Sequence, residues 1–491
     1  MASEDKQIHV MFLPYMAPGH MMPMVDIGRL FAMSGLKVTI ILTATNARRF
    51  QSTIDRTFNS GHQISLEIIH FPSAEVGLPE GCENITSAET QEMTMKLFHG
   101  VDILQAEITR LFRERRPSCI VSDSLFPWTT DVAKELGIPR LAFNGSGFFS
   151  VCIADSLNRY EPHKSITSET EPFVVPGFPD QVMLTRSQLP DIVKTTTGFS
   201  EMFDKIREAE MKSFGFLINS FYELEPAYVD YLRNVVGMQA WHVGPVSLLN
   251  GDTDDKADRG DKASVSRHAC LNWLGGKDPS SVLYICFGSL VRFTKTQITE
   301  IASALEESGH LFIWVVGKVL KTDGNDQEDQ GEELWLPVGF EERIKESGQG
   351  LIIRGWAPQV LILEHPAMGS FMTHCGWNSL LEGVTAGVPM ITWPIFAEQF
   401  YNEKLVTQVQ KFGVSVGNEV WKIWATQESP LINRDGISRA IKAVMGNSDE
   451  AVEKRKRARR LGELAKNAIH EGASSYNDLK SLIEAIRSYK S

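Results

Sequence analysis

The chain has 491 residues, 43% of them hydrophobic and 22% charged, and a formal net charge of −12. That composition is globular, with core enough for two or three ordinary domains or two large ones. The acidic balance argues against nucleic acid or an anionic membrane as the main partner.

No apolar run approaches the roughly 18 residues of a membrane span. The start, Met1-Ala2-Ser3-Glu4-Asp5-Lys6, is polar and acidic and does not read as a signal or transit peptide. Cys82, Cys119, Cys152, Cys270, Cys286 and Cys375 are scattered, several inside strand-like apolar runs. They read as reduced thiols of a cytoplasmic protein. Asn84-Ile85-Thr86 is a glycosylation sequon, read as a chance occurrence.

His9–Leu13 is a short apolar strand, Pro14–Gly19 a turn, and His20–Ser34 a helix stopped by Gly35. Lys37–Leu42 and Ile64–Ile69 are further strands, and Thr86–Phe112 reads as a long helix. Ser118–Val121 is a strand ending at Ser122-Asp123, followed by a helix near Pro127–Leu136 and strands Pro139–Phe143 and Gly215–Ser220. Strands alternating with helices mean a parallel sheet covered on both faces. Right-handed crossovers put its ligand crevice at the carboxyl ends of the strands.

Trp241-His242-Val243-Gly244-Pro245 closes this half, and Asn250–Ala263, rich in Asp, Lys and Gly, has a linker composition. The alternation then restarts with strand Val282–Phe287, helix Gln297–Ser308 and strands Leu311–Val316 and Leu351–Arg354. Lys321–Glu333 is an acidic, Gly-containing loop, and Ala451–His470 and Ser474–Ile486 are helical in pattern. The expected organisation is α/β: Rossmann-like doubly wound domains over 1–248 and 266–470, a linker over 249–265 and a terminal helix within 471–491.

The stretch Trp356–Gln399 carries the most chemistry. Ser370–Thr373 is a short apolar run ending in a polar turn, as a buried parallel strand would. Asn378-Ser379 open a helical segment that runs through Ala386 to Gly387. Its first turn offers unpaired N–H groups and the positive end of a dipole, a seat for phosphate. His374, Asn378 and Ser379 add donors. Glu382 shares their helix face; a carboxylate there repels phosphate but suits the two hydroxyls of a ribose. Trp356 precedes Pro358 and offers a flat ring for a base. Glu398-Gln399 remain for a polar, hydroxyl-rich group beyond the phosphates.

At these residues the sequence resembles the plant secondary-product glycosyltransferase box, the signature of plant family 1 UDP-dependent glycosyltransferases. The wording Trp393–Glu403 is most similar to the group-D branch, which acts on triterpenoids, steroids, flavonoids and other phenolics. The resemblance implies a GT-B fold, two Rossmann-like domains facing a central cleft, with the last helix crossing back to the first domain. It implies a transferase that uses a UDP-sugar as co-substrate; a single displacement makes it inverting, no cofactor or metal is expected, and the expected state is a monomer. The nucleotide-sugar residues it implies are Ser289, Trp356, Ala357, Gln359, His374, Gly376, Trp377, Asn378, Ser379, Glu382, Glu398 and Gln399. A final Gln in the box usually accompanies glucose in this family, so Gln399 points to UDP-glucose over galactose, xylose or glucuronate. Where the family more often has Asp before that Gln, this chain has Glu398, as group-D members do.

His20 follows Pro18-Gly19 just past a strand, and Asp123 ends another. In a doubly wound sheet both lie on one rim. A neutral imidazole can deprotonate an acceptor hydroxyl, and a carboxylate on its other nitrogen fixes the tautomer and stabilises the imidazolium. The plainer reading is a capping His and a strand-end Asp at a turn. The resemblance implies the general base and its charge-stabilising partner at these two positions. Ser289, after Phe287-Gly288, also has a plain turn reading. Asp252-Thr253-Asp254 matches the triplet of metal-dependent transferases but lies in the linker and reads as solvated charge, so no metal is expected. Met16, Met21, Met22, Met24, Phe126, Phe148 and Phe149 suit either core packing or a broad apolar acceptor cavity.

Two rival functions fit the sequence less well. A nicotinamide oxidoreductase would want G-x-G-x-x-G after the first strand, where this chain has Pro14–His20. A non-catalytic small-molecule receptor would have no need of both His20 and Asp123.

Overall fold

The computed structural model describes residues 7–249, 256, 259, 267–317, 336–422 and 430–490. The acidic loop Lys321–Glu333 and the Asp252-Thr253-Asp254 triplet lie outside the described residues, as does almost all of the expected linker. Contacts divide the chain into two compact units. One comprises residues 1–148, 198–261 and 467–491, the other 149–197 and 262–466.

The strands run in chain order as β1 (His9–Leu13), β2 (Lys37–Thr43), β3 (Ile64–Ile69), β4 (Cys119–Asp123), β5 (Arg140–Phe143), β6 (Phe173–Val174), β7 (Met183–Leu184), β8 (Gly215–Ile218) and β9 (Ala240–His242). In the first unit β1 to β5, β8 and β9 form a seven-stranded parallel sheet in the order β3-β2-β1-β4-β5-β8-β9. β6 and β7 pair antiparallel within the second unit. The chain moves outward from β1 to β3 and then returns to β4 at the other side of β1. The loops leaving β1 and β4 therefore diverge and open a crevice at their carboxyl ends. Leu13 lies level with Ser122 there.

Helices Pro18–Met33 and Ser474–Ser488 bury their apolar residues in this unit's core, where Phe31 meets Phe12 edge-on and Leu479, Leu482 and Ile486 join β1 and β2 side chains. Met21 and Met24 belong to that core, so core packing is what holds these two of the methionines around His20.

The long helix starts at Gln91, later than Thr86. The Asn84 side chain explains the shift. Its Oδ1 accepts from the amide and hydroxyl of Thr86, an Asx turn that competes with helix, and Thr90 then caps Met93 at 3.1 Å. Asn84 itself is 1% exposed and donates to Asn46 Oδ1, so the sequon amide is packed inside.

The second unit carries β10 (Val282–Cys286), β11 (Leu311–Val316), β12 (Gly350–Arg354), β13 (Met368–Thr373), β14 (Met390–Thr392) and β15 (Gly413–Ser415), all parallel, in the order β12-β11-β10-β13-β14-β15. Its reversal falls between β10 and β13, whose ends Cys286 and Thr373 are level. The turn Phe287-Gly288-Ser289 and the turn from His374 thus emerge side by side. Helices Lys295–Ser308 and Arg434–Met445 close its core over Trp314, Met372, Ile391 and Trp393.

Candidate active site

Each sheet presents chemistry at its own point of reversal. In the first unit the turn after β1 leads to Pro18, which sits at the first helical position where a missing N–H costs nothing. That places His20 in the opening turn of the helix, its side chain 31% exposed. Its Nδ1 lies 2.6 Å from Oδ2 of Asp123, which ends β4 and is 1% exposed. Asp123 Oδ1 accepts the Leu125 amide at 3.0 Å. With the carboxylate accepting Nδ1–H, imidazole Nε2 carries the lone pair.

The aspartate is held from behind. The buried Arg140 donates to the Asp123 carbonyl at 3.2 Å, to Ser122 and Thr129 hydroxyls at 2.9 and 3.0 Å, and to Ser213 at 2.6 Å. Burial pushes Arg140 down to about 10, which leaves it cationic at neutral pH. The buried Tyr15 ring packs 5.9 Å from the imidazole, and burial with the nearby Asp123 charge raises its phenol well above the usual range. Gly145 lies against the ring: a Cβ there would sit 3.2 Å from His20 Cε1. Sequence reading missed Tyr15, Arg140 and Gly145, because they act through the pair and carry no motif of their own.

In the second unit the strand-end turns supply the donors. Helix Trp377–Thr385 starts one residue earlier than Asn378, with Gly376 at its N-cap and Trp377, 2% exposed, anchoring the first turn from inside. Gly387, at φ 70°, follows its end. His374 is gripped between two glycines. A Cβ on Gly288 would come within 2.7 Å of its Cε1, and one on Gly376 within 2.4 Å of its Nε2. Burial pushes this imidazole down to about 4, so it is neutral and offers a single N–H. Ser289 is exposed in the turn after β10. Asn378 and Ser379 lie in the first turn of the helix.

Trp356 follows Gly355, whose φ of 97° only glycine adopts readily, and Ala357 is buried beside it. Gln359 opens the short helix Gln359–Leu363 and donates to Glu382 Oε2 at 2.7 Å and Ser379 Oγ at 3.2 Å, while Tyr284 donates to its Oε1 at 3.3 Å. Glu382 is 5% exposed, so Gln359 fixes a buried carboxylate one turn inside the helix that Gly376 caps. Gln399 is also buried, and its Oε1 accepts the amides of Ile395 and Phe396 at 2.9 and 3.1 Å. Its carbonyl oxygen is thus committed to the backbone, and its NH2 is the group it can turn to a ligand. Among the described residues no three His, Cys, Asp or Glu side chains gather to hold a metal ion. All six cysteines are free thiols, and no described helix is long and apolar enough to cross a membrane.

The family described as UDP-glucoronosyl and UDP-glucosyl transferase matches residues 83–428. Anthocyanin 3'-O-beta-glucosyltransferase of Gentiana triflora is 47% identical over 486 residues, covering 98% of this chain and 99% of that protein. Soyasapogenol B glucuronide galactosyltransferase of Glycine max is 44% identical over 492 residues, covering 100% and 98%. The crystal structure of a Glycyrrhiza uralensis UGT complexed with glycyrrhetinic acid 3-O-monoglucuronide superposes with a TM-score of 0.92 at 44% identity, over 99% of this chain and 96% of that one.

Proposed function

The chain belongs to the plant family 1 UDP-glycosyltransferases and has their GT-B fold, and from that premise we propose that it transfers glucose from UDP-glucose to a hydroxyl of a bulky apolar plant metabolite. The acceptor class is a triterpenoid or steroid, or a flavonoid or other phenolic, and the product a β-O-glucoside. The observation that carries the chemistry is the His20–Asp123 pair at 2.6 Å. His20 Nε2 takes the acceptor proton, Asp123 stabilises the imidazolium, and the acceptor oxygen displaces UDP from the anomeric carbon. One displacement inverts an α-linked donor to a β-glycoside.

On this reading Trp356 and Ala357 receive the uracil, and Gln359 and Glu382 the ribose. The leaving-group charge falls on a pyrophosphate met by the helix end at Gly376–Ser379, the neutral His374 N–H and Ser289. The positive end of the helix macrodipole makes a metal unnecessary for this role. Glu398 and the Gln399 amide bond the sugar hydroxyls. The chain's likeness to an enzyme named for glucosyl transfer supports glucose. The relative named as a galactosyltransferase makes galactose the second reading.

The test is incubation with UDP-glucose, UDP-galactose, UDP-xylose and UDP-glucuronate against sapogenin and flavonol acceptors, with mass detection and a chelator control. Glucose transfer that survives chelation and vanishes in His20→Ala, while UDP still binds, is the expected result. Unchanged transfer by His20→Ala removes the imidazole from its role.

A further inference from the structure

We propose that Asn402 is a positioning residue for sugar selectivity, holding the Glu398 carboxylate at a set orientation through a buried relay that begins at Ser150. The proposal rests on the reading above that Glu398 bonds the sugar.

Asn402 lies on helix Gln399–Lys404, one turn beyond Glu398, and is 0% exposed. Its Oδ1 lies 2.7 Å from Ser150 Oγ, and its Nδ2 lies 2.9 Å from the Cys375 carbonyl and 3.3 Å from Glu398 Oε1. Only one amide orientation satisfies all three. Turned over, the oxygen would face a carbonyl and a carboxylate, neither of which donates. Ser150 therefore donates to Oδ1, and Nδ2 has both protons directed at acceptors.

The carbonyl that anchors it is itself fixed. Cys375 is buried with φ 65°, a left-handed backbone that an L-residue adopts only where its surroundings hold it. Asn402 thus ties Glu398 to a rigid point beside His374 and Gly376. A carboxylate that chooses between the epimeric hydroxyls of two hexoses must be held to a few tenths of an ångström, and the tie to Asn402 restricts the rotamers that the half-buried Glu398 can adopt.

A merely structural asparagine would lower turnover with every donor alike. The informative quantity is therefore the ratio of kcat/KM for UDP-glucose to that for UDP-galactose, in which any loss shared through the nucleotide cancels. Asn402→Asp keeps the shape and the Ser150 acceptor but removes both donors and faces Glu398 with a second negative charge. Asn402→Ala removes the relay. In both, the ratio should fall at least tenfold. Ser150→Ala deletes one hydroxyl, leaves the backbone intact and should lower the ratio about threefold, so it tests the relay even if the Asn402 variants fold poorly. A ratio within twofold of the parent in Ser150→Ala and in a folded Asn402 variant overturns the proposal. If the parent prefers a sugar other than glucose, the donor reading fails separately, and the same ratio is taken between that sugar and glucose.

Discussion

Asp123 holds His20 with one oxygen and its own loop with the other: Oδ2 lies 2.6 Å from imidazole Nδ1, and Oδ1 accepts the Leu125 amide at 3.0 Å. Because the loop fixes the carboxylate, the aspartate presents only an acceptor to the imidazole. The Nε2 lone pair needed to take a proton follows from that constraint.

Asp123→Asn should therefore separate geometry from proton chemistry. An amide NH2 facing Nδ1 would favour the tautomer with the proton on Nε2, which cannot act as a base. The expected outcome is a kcat lower by roughly 10³–10⁴, in line with the loss such a change causes in a hydrolase triad, with the KM for UDP-glucose unchanged. Steady-state kinetics against both substrates checks it.

Gly145→Ala probes the same ring sterically. The new methyl would lie 3.2 Å from Cε1 and 3.4 Å from Nδ1 of His20, closer than comfortable contact, so the imidazole must give by a few tenths of an ångström. If His20 is the base as proposed, displacing it by that much should cost about tenfold in kcat, with an unfolding midpoint close to the parent's.

On the donor side, Gly288→Ala and Gly376→Ala should displace His374. The glycine at 288 has φ 73°, so alanine is strained there besides meeting the imidazole at 2.7 Å. On the proposed reading, in which His374 donates to the pyrophosphate, a lost hydrogen bond to a charged group is worth about 1.5–3 kcal/mol, so UDP affinity should fall by at least about tenfold. Calorimetric titration with UDP reads this without any acceptor.

How far the sequence anticipates these sites depends on range. β3 and β11 have the same bounds in sequence and structure: β3 alternates apolar and polar residues as an edge strand does, and β11 is an unbroken apolar run. β9, β14 and β15 have three residues each, too few for any periodicity to register. Helix Ala44–Asn59 did carry a signal, since Ala47, Phe50 and Ile54 fall on one face, but its arginines and polar residues mask it. Strand-end residues such as Asp123 and His374 stand out because a doubly wound sheet fixes where strand ends go. Arg140 and Gly145 do not, since each acts on a partner that only the folded chain brings near, and Asn402 takes its anchors from Ser150 and Cys375, both distant in the chain.

Acid should weaken the fold through two partly buried histidines, His9 and His374. Burial, with Lys37 and Arg115 adding to it, pushes His9 down to about 4, and burial alone does the same to His374. Between pH 4 and the ordinary histidine value of 6.5 the unfolded chain takes up protons that the folded chain refuses. Stability is then complete above the upper value and is lost as pH falls toward the lower. His9→Asn deletes one such group while allowing a polar contact to Thr39, which His9 meets at 2.9 Å. Its acid limb should be shallower by about 1 kcal/mol, given that the site is only half buried, and its stability at pH 7.5 should match the parent's. Urea titrations across the acid range supply the comparison.

The terminal helix offers the last test. Asp478 accepts from Arg233 at 2.5 Å and from the His242 amide at 3.0 Å, and its Oδ2 lies 3.1 Å from His242 Nε2. One carboxylate thus joins helix Ser474–Ser488 to the end of β9, while Leu479, Leu482 and Ile486 fill the core beneath. Asp478→Ala would leave a backbone donor and a guanidinium proton unmet in a setting where the aspartate side chain is only 18% exposed. The expected cost is about 2–4 kcal/mol. Asp478→Asn keeps one acceptor for the His242 amide and loses only the charge, so about half that cost is expected. If both variants were as stable as the parent, the helix would be held by its apolar face alone, and trimming Leu482 to Ala would then be the more damaging change.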